Sequence, residues 1–261
     1  MSRPRWHKEL AVTKTPKYRA PALDKGLDIL ELLARTPGSL NLTEVAQGIG
    51  YSKSEIFRML QVLEARGYLV REANDSAYAL TNRLFLLGME RPPIKDLTEA
   101  ALPVMHRLAE QTRHSCHLVV PSQDQIVVIA RVDAPTDLGF VVRVGHRRPL
   151  AHSTSGLVLF AFQSEETQAR WLATMEAGEA RFKRKAFLAS AAQIREQGYA
   201  SLPSEAVDAV TDLSAPILQR EHAVGTLTIP FVERHPVTVP VKQAIVHLRE
   251  AVKEISAALL R

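Results

Sequence analysis

Apolar residues recur at two different periods along this chain, and the switches between periods mark its parts. Leu23, Leu27, Leu30 and Leu33 repeat at helical spacing, and Pro37-Gly38 closes that element. Val45, Ala46 and Ile49 make the apolar side of a second, short helix, for which Thr43 is the expected N-cap. Gly48-Ile49-Gly50 predicts a tight turn, because glycine tolerates the positive φ that such turns need. A third helix opens at Ser52 or Ser54 and stops at Gly67. Ile56, Met59, Leu60 and Leu63 form its apolar face, and Lys53, Ser54, Arg58 and Gln61 the opposite one. Beyond Gly67 the period drops to two. Residues 68–71 and 77–80 read as short strands around a polar turn at 72–76. Three helices followed by a hairpin is the order of a winged helix-turn-helix, whose later helix enters a DNA major groove.

Residues 84–89 read as a further helix, and Arg91-Pro92-Pro93 interrupts it at a joint between domains. The second region begins with a helix over 97–112. Strands are expected at 117–120, 126–132 and 140–144, then a helix at 156–160 and a mostly helical stretch to Arg195. Strands near 213–218 and 223–231 and a long helix over 241–260 complete it. The fold class expected is α+β: an N-terminal winged helix-turn-helix plus a C-terminal mixed α/β domain. The division is 1–20, a disordered arm; 21–83, the winged helix; 84–96, a linker helix; and 97–261, the second domain.

Charge changes the picture at one end only. The first twenty residues hold six basic side chains and one acidic one, whereas the rest holds 27 of each. Such an arm is either a solubilising tail or a segment that lies along a polyanion through phosphate contacts. Region 21–90 has seven basic and nine acidic residues, so DNA binding there must rest on local placement and on more than one copy. Cys116 is the single cysteine, which excludes an internal disulfide framework and fits a cytoplasmic protein. No apolar run is long enough to span a membrane, and no phosphate loop or dinucleotide fingerprint occurs, so neither membrane nor cofactor is expected.

Two constellations invite chemistry. His114, Cys116 and His117 have close metal-ligand spacing, but alternation along a strand turns Cys116 away from His117 and no fourth ligand is evident. Ser153-Thr154-Ser155 follows His152, but no nucleophile-elbow glycine pattern precedes it, so catalysis is not expected.

Several stretches, in order, resemble one family: LDKGLDILELL, LTEVAQGI, SKSEIFRML and LEARGYL within 23–69, then TRHSCHLVV, VVIARV, RRPLAHSTSGLVLFA, LSAPIL and VGTLTI within 112–229. They are similar to the IclR family of bacterial transcriptional regulators, and the resemblance covers roughly residues 21–260. It implies a regulator, not an enzyme: a homodimer or dimer of dimers binding double-stranded promoter DNA. A GAF-like C-terminal domain would bind a small-molecule effector, a carboxylate in many members, and serve oligomerisation. The DNA-facing positions implied are Thr43, Ser52, Lys53, Ser54, Glu55, Phe57 and Arg58. The family usually has a small hydroxyl residue in place of Glu55 and His or Tyr in place of Phe57. Glu55 can accept from a cytosine amino group or pair with Lys53 or Arg58, and Phe57 can meet a thymine methyl or join the core.

The effector-facing positions implied are Phe140, Arg148, Thr154, Ser155, Asp212 and Thr228. Asp212 stands where the family often has Cys; it disfavours a dianion and favours a hydroxyl or amine donor, with Arg148 as partner for a carboxylate. The ligand expected is a small organic acid, hydroxy-aromatic acids among the candidates. The plainer alternative leaves Asp212 and Arg148 as surface residues. Competing functions are a small-molecule enzyme, or a protein-interaction module, fused to a winged helix.

Overall fold

The computed structural model describes residues 20–72, 76–136, 139–178, 182–233 and 238–260. The basic arm, except Ala20, and the centre of the 72–76 turn lie outside the described residues. The chain divides into two units, the first ending at Arg91 and the second beginning at Pro92.

In the first unit, α1 (Pro21–Arg35) begins with a proline, which suits a first helical turn. Its buried residues are Ile29 and Leu33, while Leu23 and Leu27 of the expected stripe are exposed. α2 (Leu42–Ile49) is capped by Asn41, not by Thr43. The Asn41 side chain accepts from the N–H groups of Thr43 (2.9 Å) and Glu44 (3.1 Å), and Glu44 accepts from the Asn41 N–H at 2.8 Å. Gly50 then turns the chain with φ 74°. α3 (Lys53–Ala65) follows, with Ser52 as its N-cap.

β1 (Leu69–Arg71) and β2 (Tyr78–Leu80) pair antiparallel, and Leu40 bridges to Tyr78 through two backbone hydrogen bonds, widening the wing. Ile29, Val45, Ile49, Ile56, Leu60, Leu69 and Tyr78 close one core beneath the three helices. α4 (Arg83–Met89) buries none of its residues and exposes Leu84, Phe85, Leu86 and Leu87.

The second unit opens with α5 (Pro92–Thr112), five residues earlier than the pattern predicts; Pro92 and Pro93 sit in its first turn, where the missing N–H groups cost nothing. β3 (Cys116–Ser122), β4 (Gln125–Val132) and β5 (Arg147–Pro149) come next. After a 3-10 turn (Leu150–His152) lie α6 (Thr154–Ala161), α7 (Glu165–Gly178) and α8 (Arg184–Gln197). β6 (Ala200–Pro203), β7 (Val210–Gln219), β8 (His222–Val232) and α9 (Val241–Ala258) finish the chain. No described helix is long and apolar enough to cross a membrane.

The strands form one antiparallel sheet in the order β5-β4-β3-β8-β7-β6. Successive side chains point to opposite faces, and this sheet uses that fully. Cys116, Leu118, Leu213, Ala215, Leu227 and Ile229 face α5 and α9 in one core. Val119 faces the other way, into a second core with α6 and α7, and α8 packs there through Ala191 and Ile194.

Residues 140–144 are not the expected strand. The chain turns there instead, with Gly145 donating to the Val128 carbonyl at 2.8 Å, and the edge position beside β4 goes to Arg147–Pro149.

Candidate functional site

The first candidate surface is the polar face of α3. Ser52, Lys53, Ser54, Glu55, Phe57 and Arg58 are all exposed, whereas Ile56 and Leu60 between and beyond them are fully buried. Phe57, at 40% exposure, belongs to that surface and not to the core. Thr43 lies half-buried at the start of α2.

Glu55 is engaged within the protein. Its carboxylate accepts from the Ser52 N–H (3.0 Å) and hydroxyl (2.8 Å), and it pairs with Lys25 of α1 at 2.9 Å, not with Lys53 or Arg58. Lys25 in turn lies 4.9 Å over the Tyr51 ring. Glu55 thus fixes the start of α3 against α1, which sets where Ser52, Lys53, Ser54 and Arg58 point. Lys25, absent from the sequence expectations, belongs to the site for this reason; no spacing within 20–60 announced it.

The Lys25 hydrogen bond, then those from Ser52, hold the Glu55 carboxyl down to about 2 from the usual 4.5. A depressed carboxyl stabilises the fold above its unfolded value, and that contribution is lost as pH falls. Glu55→Gln is therefore expected to melt below the wild type at pH 5 and above, with the gap closing between pH 4.5 and about 2. Thermal melts across that range check it; a pH-independent gap contradicts it.

The second candidate is a cavity of about 270 Å³ between the sheet and α6. Phe140, Arg148, Thr154, Ser155, Asp212 and Thr228 all line it, so the structure brings the expected set together. Arg148 and Asp212 are half-buried in this wall. Strand alternation supplies the floor: Asp212 comes from β7, Thr228 from β8 and His117 from β3, where it sits opposite Thr228 in the ladder.

All eight residues of α6 are buried, and Ser153 caps it by accepting from the Gly156 N–H at 3.0 Å. The helix start therefore presents its positive end and the remaining free N–H groups of its first turn at the cavity. Gly156 is required there, because a Cβ would stand 2.2 Å from the Leu150 carbonyl oxygen.

Two polar devices line the floor. Ser214 and Thr228 hydroxyls lie 2.8 Å apart, and Thr228 and Ser155 2.9 Å apart. Three hydroxyls carry three protons for two bonds, so one O–H is left over, and Ser155 at the cavity end is positioned to present it. Thr154 donates to Asp212 at 3.4 Å.

Burial pushes the Asp212 carboxyl up, against the lowering pull of hydrogen bonds from Ser204 and Thr154 and of the Arg148 charge. Burial also drives His117 down to about 4, helped by the nearby His146, so its imidazole is neutral near pH 7. Ser153, Ser204, Arg143 and His146 line the cavity as well. They were missed because they sit on loops, turns or a helix cap, where periodicity carries no signal.

The His114, Cys116 and His117 group does not converge. Cys116 is in the apolar core, and burial raises its thiol to about 12. His114 is held between the carbonyls of Thr112 (2.7 Å) and Val232 (2.9 Å) and stacks on Phe231. Among the described residues no three His, Cys, Asp or Glu side chains converge to hold a metal. His152 lies 3.5 Å from Glu205, and the Ser153 oxygen is occupied by the Gly156 N–H.

Known proteins repeat both units. The IclR helix-turn-helix domain matches residues 22–73, and the domain described as bacterial transcriptional regulator IclR C-terminal matches residues 94–257. The chain is 29% identical over 230 residues to the transcriptional regulator KdgR of Escherichia coli K12, covering 84% of this chain and 86% of that protein. It is 30% identical to the regulator BhcR of Paracoccus denitrificans, covering 78% of this chain and 75% of that one.

Among solved structures, an IclR homologue from Microbacterium hydrocarbonoxydans complexed with 4-hydroxybenzoate has the same fold. Its TM-score is 0.75 at 20% identity, covering 91% of this chain and 98% of that one. Pseudomonas aeruginosa HmgR superposes with a TM-score of 0.73 at 26% identity over the same shares. With the winged unit and the cavity domain each matched in turn, the chain belongs to the IclR family of bacterial transcriptional regulators.

Proposed function

We propose that this protein switches its grip on promoter DNA when a small organic acid enters the cavity over Asp212, and so controls a catabolic or metabolic operon. The observation that carries the reading is the cavity's make-up: the buried start of α6, Arg148 and the half-buried Asp212 carboxyl all line one space of about 270 Å³. A carboxylate end suits the cations and the helix start. A hydroxyl suits Asp212, and a flat apolar body suits Phe140, Ile126 and Val128, so hydroxy-aromatic acids fit. The family relative solved with 4-hydroxybenzoate supports the same class.

Ser52, Lys53, Ser54, Phe57 and Arg58 form the groove-reading face, with Glu55 and Thr43 behind it as supports. The exposed leucines of α1 and α4 support a homodimer or dimer of dimers, which supplies the second DNA-binding copy that a near-neutral winged unit needs.

The test is a gel shift with DNA upstream of the protein's own gene, titrated with hydroxybenzoates and aliphatic hydroxy acids. A retarded band that one of these acids releases or tightens, with the acid recovered unchanged, is expected. Absence of any shift, or conversion of the acid to product, overturns the reading. Deleting residues 1–18, which carry five of the chain's 33 basic side chains, is expected to weaken operator binding and flatten its salt dependence. A salt titration with unchanged affinity and slope rules the arm out as a DNA contact.

A further inference from the structure

A groove of about 480 Å³ runs along the edge of the sheet and shares no lining residue with the cavity over Asp212. The sheet itself creates it. β6 pairs with β7 only as far as Ser214, so among the described residues the rest of β7 has no neighbouring strand on that side. Pro216 and Leu218 of this stretch line the groove, together with Phe162, Gly198 and one side of α9.

A bare strand edge ordinarily invites another strand. Here two devices close it. Pro216 has no N–H, and the Leu218 N–H is given to the Ser256 hydroxyl at 2.9 Å. The edge therefore offers side chains and not a ladder.

The walls are fixed and the mouth is open. The Arg195 guanidinium donates to the Ala161 carbonyl at 2.7 Å and lies 5.7 Å over the Phe162 ring, which holds that ring in place. A Cβ added at Gly198 would meet nothing within 4 Å, so the end of α8 leaves the groove clear. Val246, an apolar residue on its lip, is left 51% exposed.

Two cations and one carboxylate, all from α9, line the groove. Arg249 and Lys253 stand one turn apart on α9, Arg249 stacked 5.8 Å over Tyr199. The intervening Glu250 carboxylate lies 3.7 Å from the His247 ring.

We propose that the groove is a second ligand site, taking a medium-chain carboxylate. Its apolar body lies on Phe162, Pro216, Leu218 and Val246, and its head group meets Arg249 and Lys253. Octanoate titrated calorimetrically into the full chain is expected to show one saturable site per chain. The double variant Arg249→Glu, Lys253→Glu is expected to weaken it about tenfold or more, since two charge-assisted contacts turn repulsive. Val246→Trp, which fills the lip and removes no charge, is expected to weaken it as well, with both variants keeping the wild-type circular dichroism. Arg148→Ala, in the other cavity, leaves octanoate binding unchanged.

Failure to saturate overturns the site, as does equal affinity in the double variant and in Val246→Trp. Loss in Arg148→Ala overturns it too, by placing octanoate over Asp212. If the double variant instead changes the oligomeric state without octanoate, the groove belongs to a second copy and the proposal falls.

Discussion

Arg58→Ala is expected to reduce operator affinity by roughly 5- to 150-fold, the 1–3 kcal/mol that a bidentate contact to a guanine edge contributes to discrimination. The side chain stands exposed on the polar face of α3, one turn beyond the pinned N-terminus, and buries nothing in the first unit's core. The fold should therefore survive its loss, and circular dichroism should be unchanged.

Lys53 makes the instructive contrast. It is exposed in the first turn of the same helix, where a side chain positions the protein against phosphates. Lys53→Ala is then expected to weaken every DNA sequence alike and to lower the salt slope by about one. Titrating both variants against the operator and against copies altered one base pair at a time separates the roles. If Arg58→Ala loses affinity uniformly across those sequences, Arg58 is a phosphate contact and base reading lies elsewhere on the helix.

The largest structural effect is expected at Gly156. Its Cα faces the Leu150 backbone so closely that an added Cβ would lie 2.2 Å from the carbonyl oxygen and 2.8 Å from the Leu150 Cα. The Leu150 backbone cannot swing aside as a side chain would, the Ser153 Oγ at 2.7 Å is the group that caps Gly156, and α6 is buried along its whole length. Gly156→Ala must push the start of α6 away from the 3-10 turn, at a cost of about 3 kcal/mol.

For a unit of this size that lowers the melting temperature by roughly 6–12 °C. The displaced helix start carries Thr154 and Ser155, so any ligand held there should also bind more weakly. Calorimetric scanning and ligand titration of the variant test both statements. A melting temperature within a degree or two of the wild type would mean that the close approach of α6 is not what holds this region in place.

Much of the fold could be read along the chain, and the exceptions have physical causes. The helices of the winged unit and the long α9 announce themselves by period, since each buries one stripe against a single core. The α2 cap was misplaced on Thr43 although Asn41 precedes Glu44 by three residues, the spacing of a capping box. Residues 140–144 are as apolar as any strand, but apolarity does not distinguish a strand from a loop that lines a cavity. Phe140, Val141 and Val142 turn their bulk to the ligand space instead of to a neighbouring strand.

The cavity floor was visible in part. Asp212 and Ser214 alternate with Leu213 and Ala215, and Thr226 and Thr228 alternate with Leu227 and Ile229. That rhythm marks one polar and one apolar face. It does not reveal that α6 roofs the polar face, because the helix and those strands are more than fifty residues apart in the chain. Lys25 was hidden for the same reason, its tie to Glu55 spanning thirty residues.

The two-residue rhythm of β7 and β8 also separates two kinds of heritable change. Positions 212 and 228 line the cavity and Ser214 hydrogen-bonds to Thr228 behind it, whereas 213, 215, 227 and 229 hold the sheet to α5 and α9. Side chains of the first group point away from those of the second. If the cavity holds the effector as proposed, a lineage carrying this sheet can thus exchange one metabolite for another through single codon changes, without first accumulating mutations that shore up the scaffold.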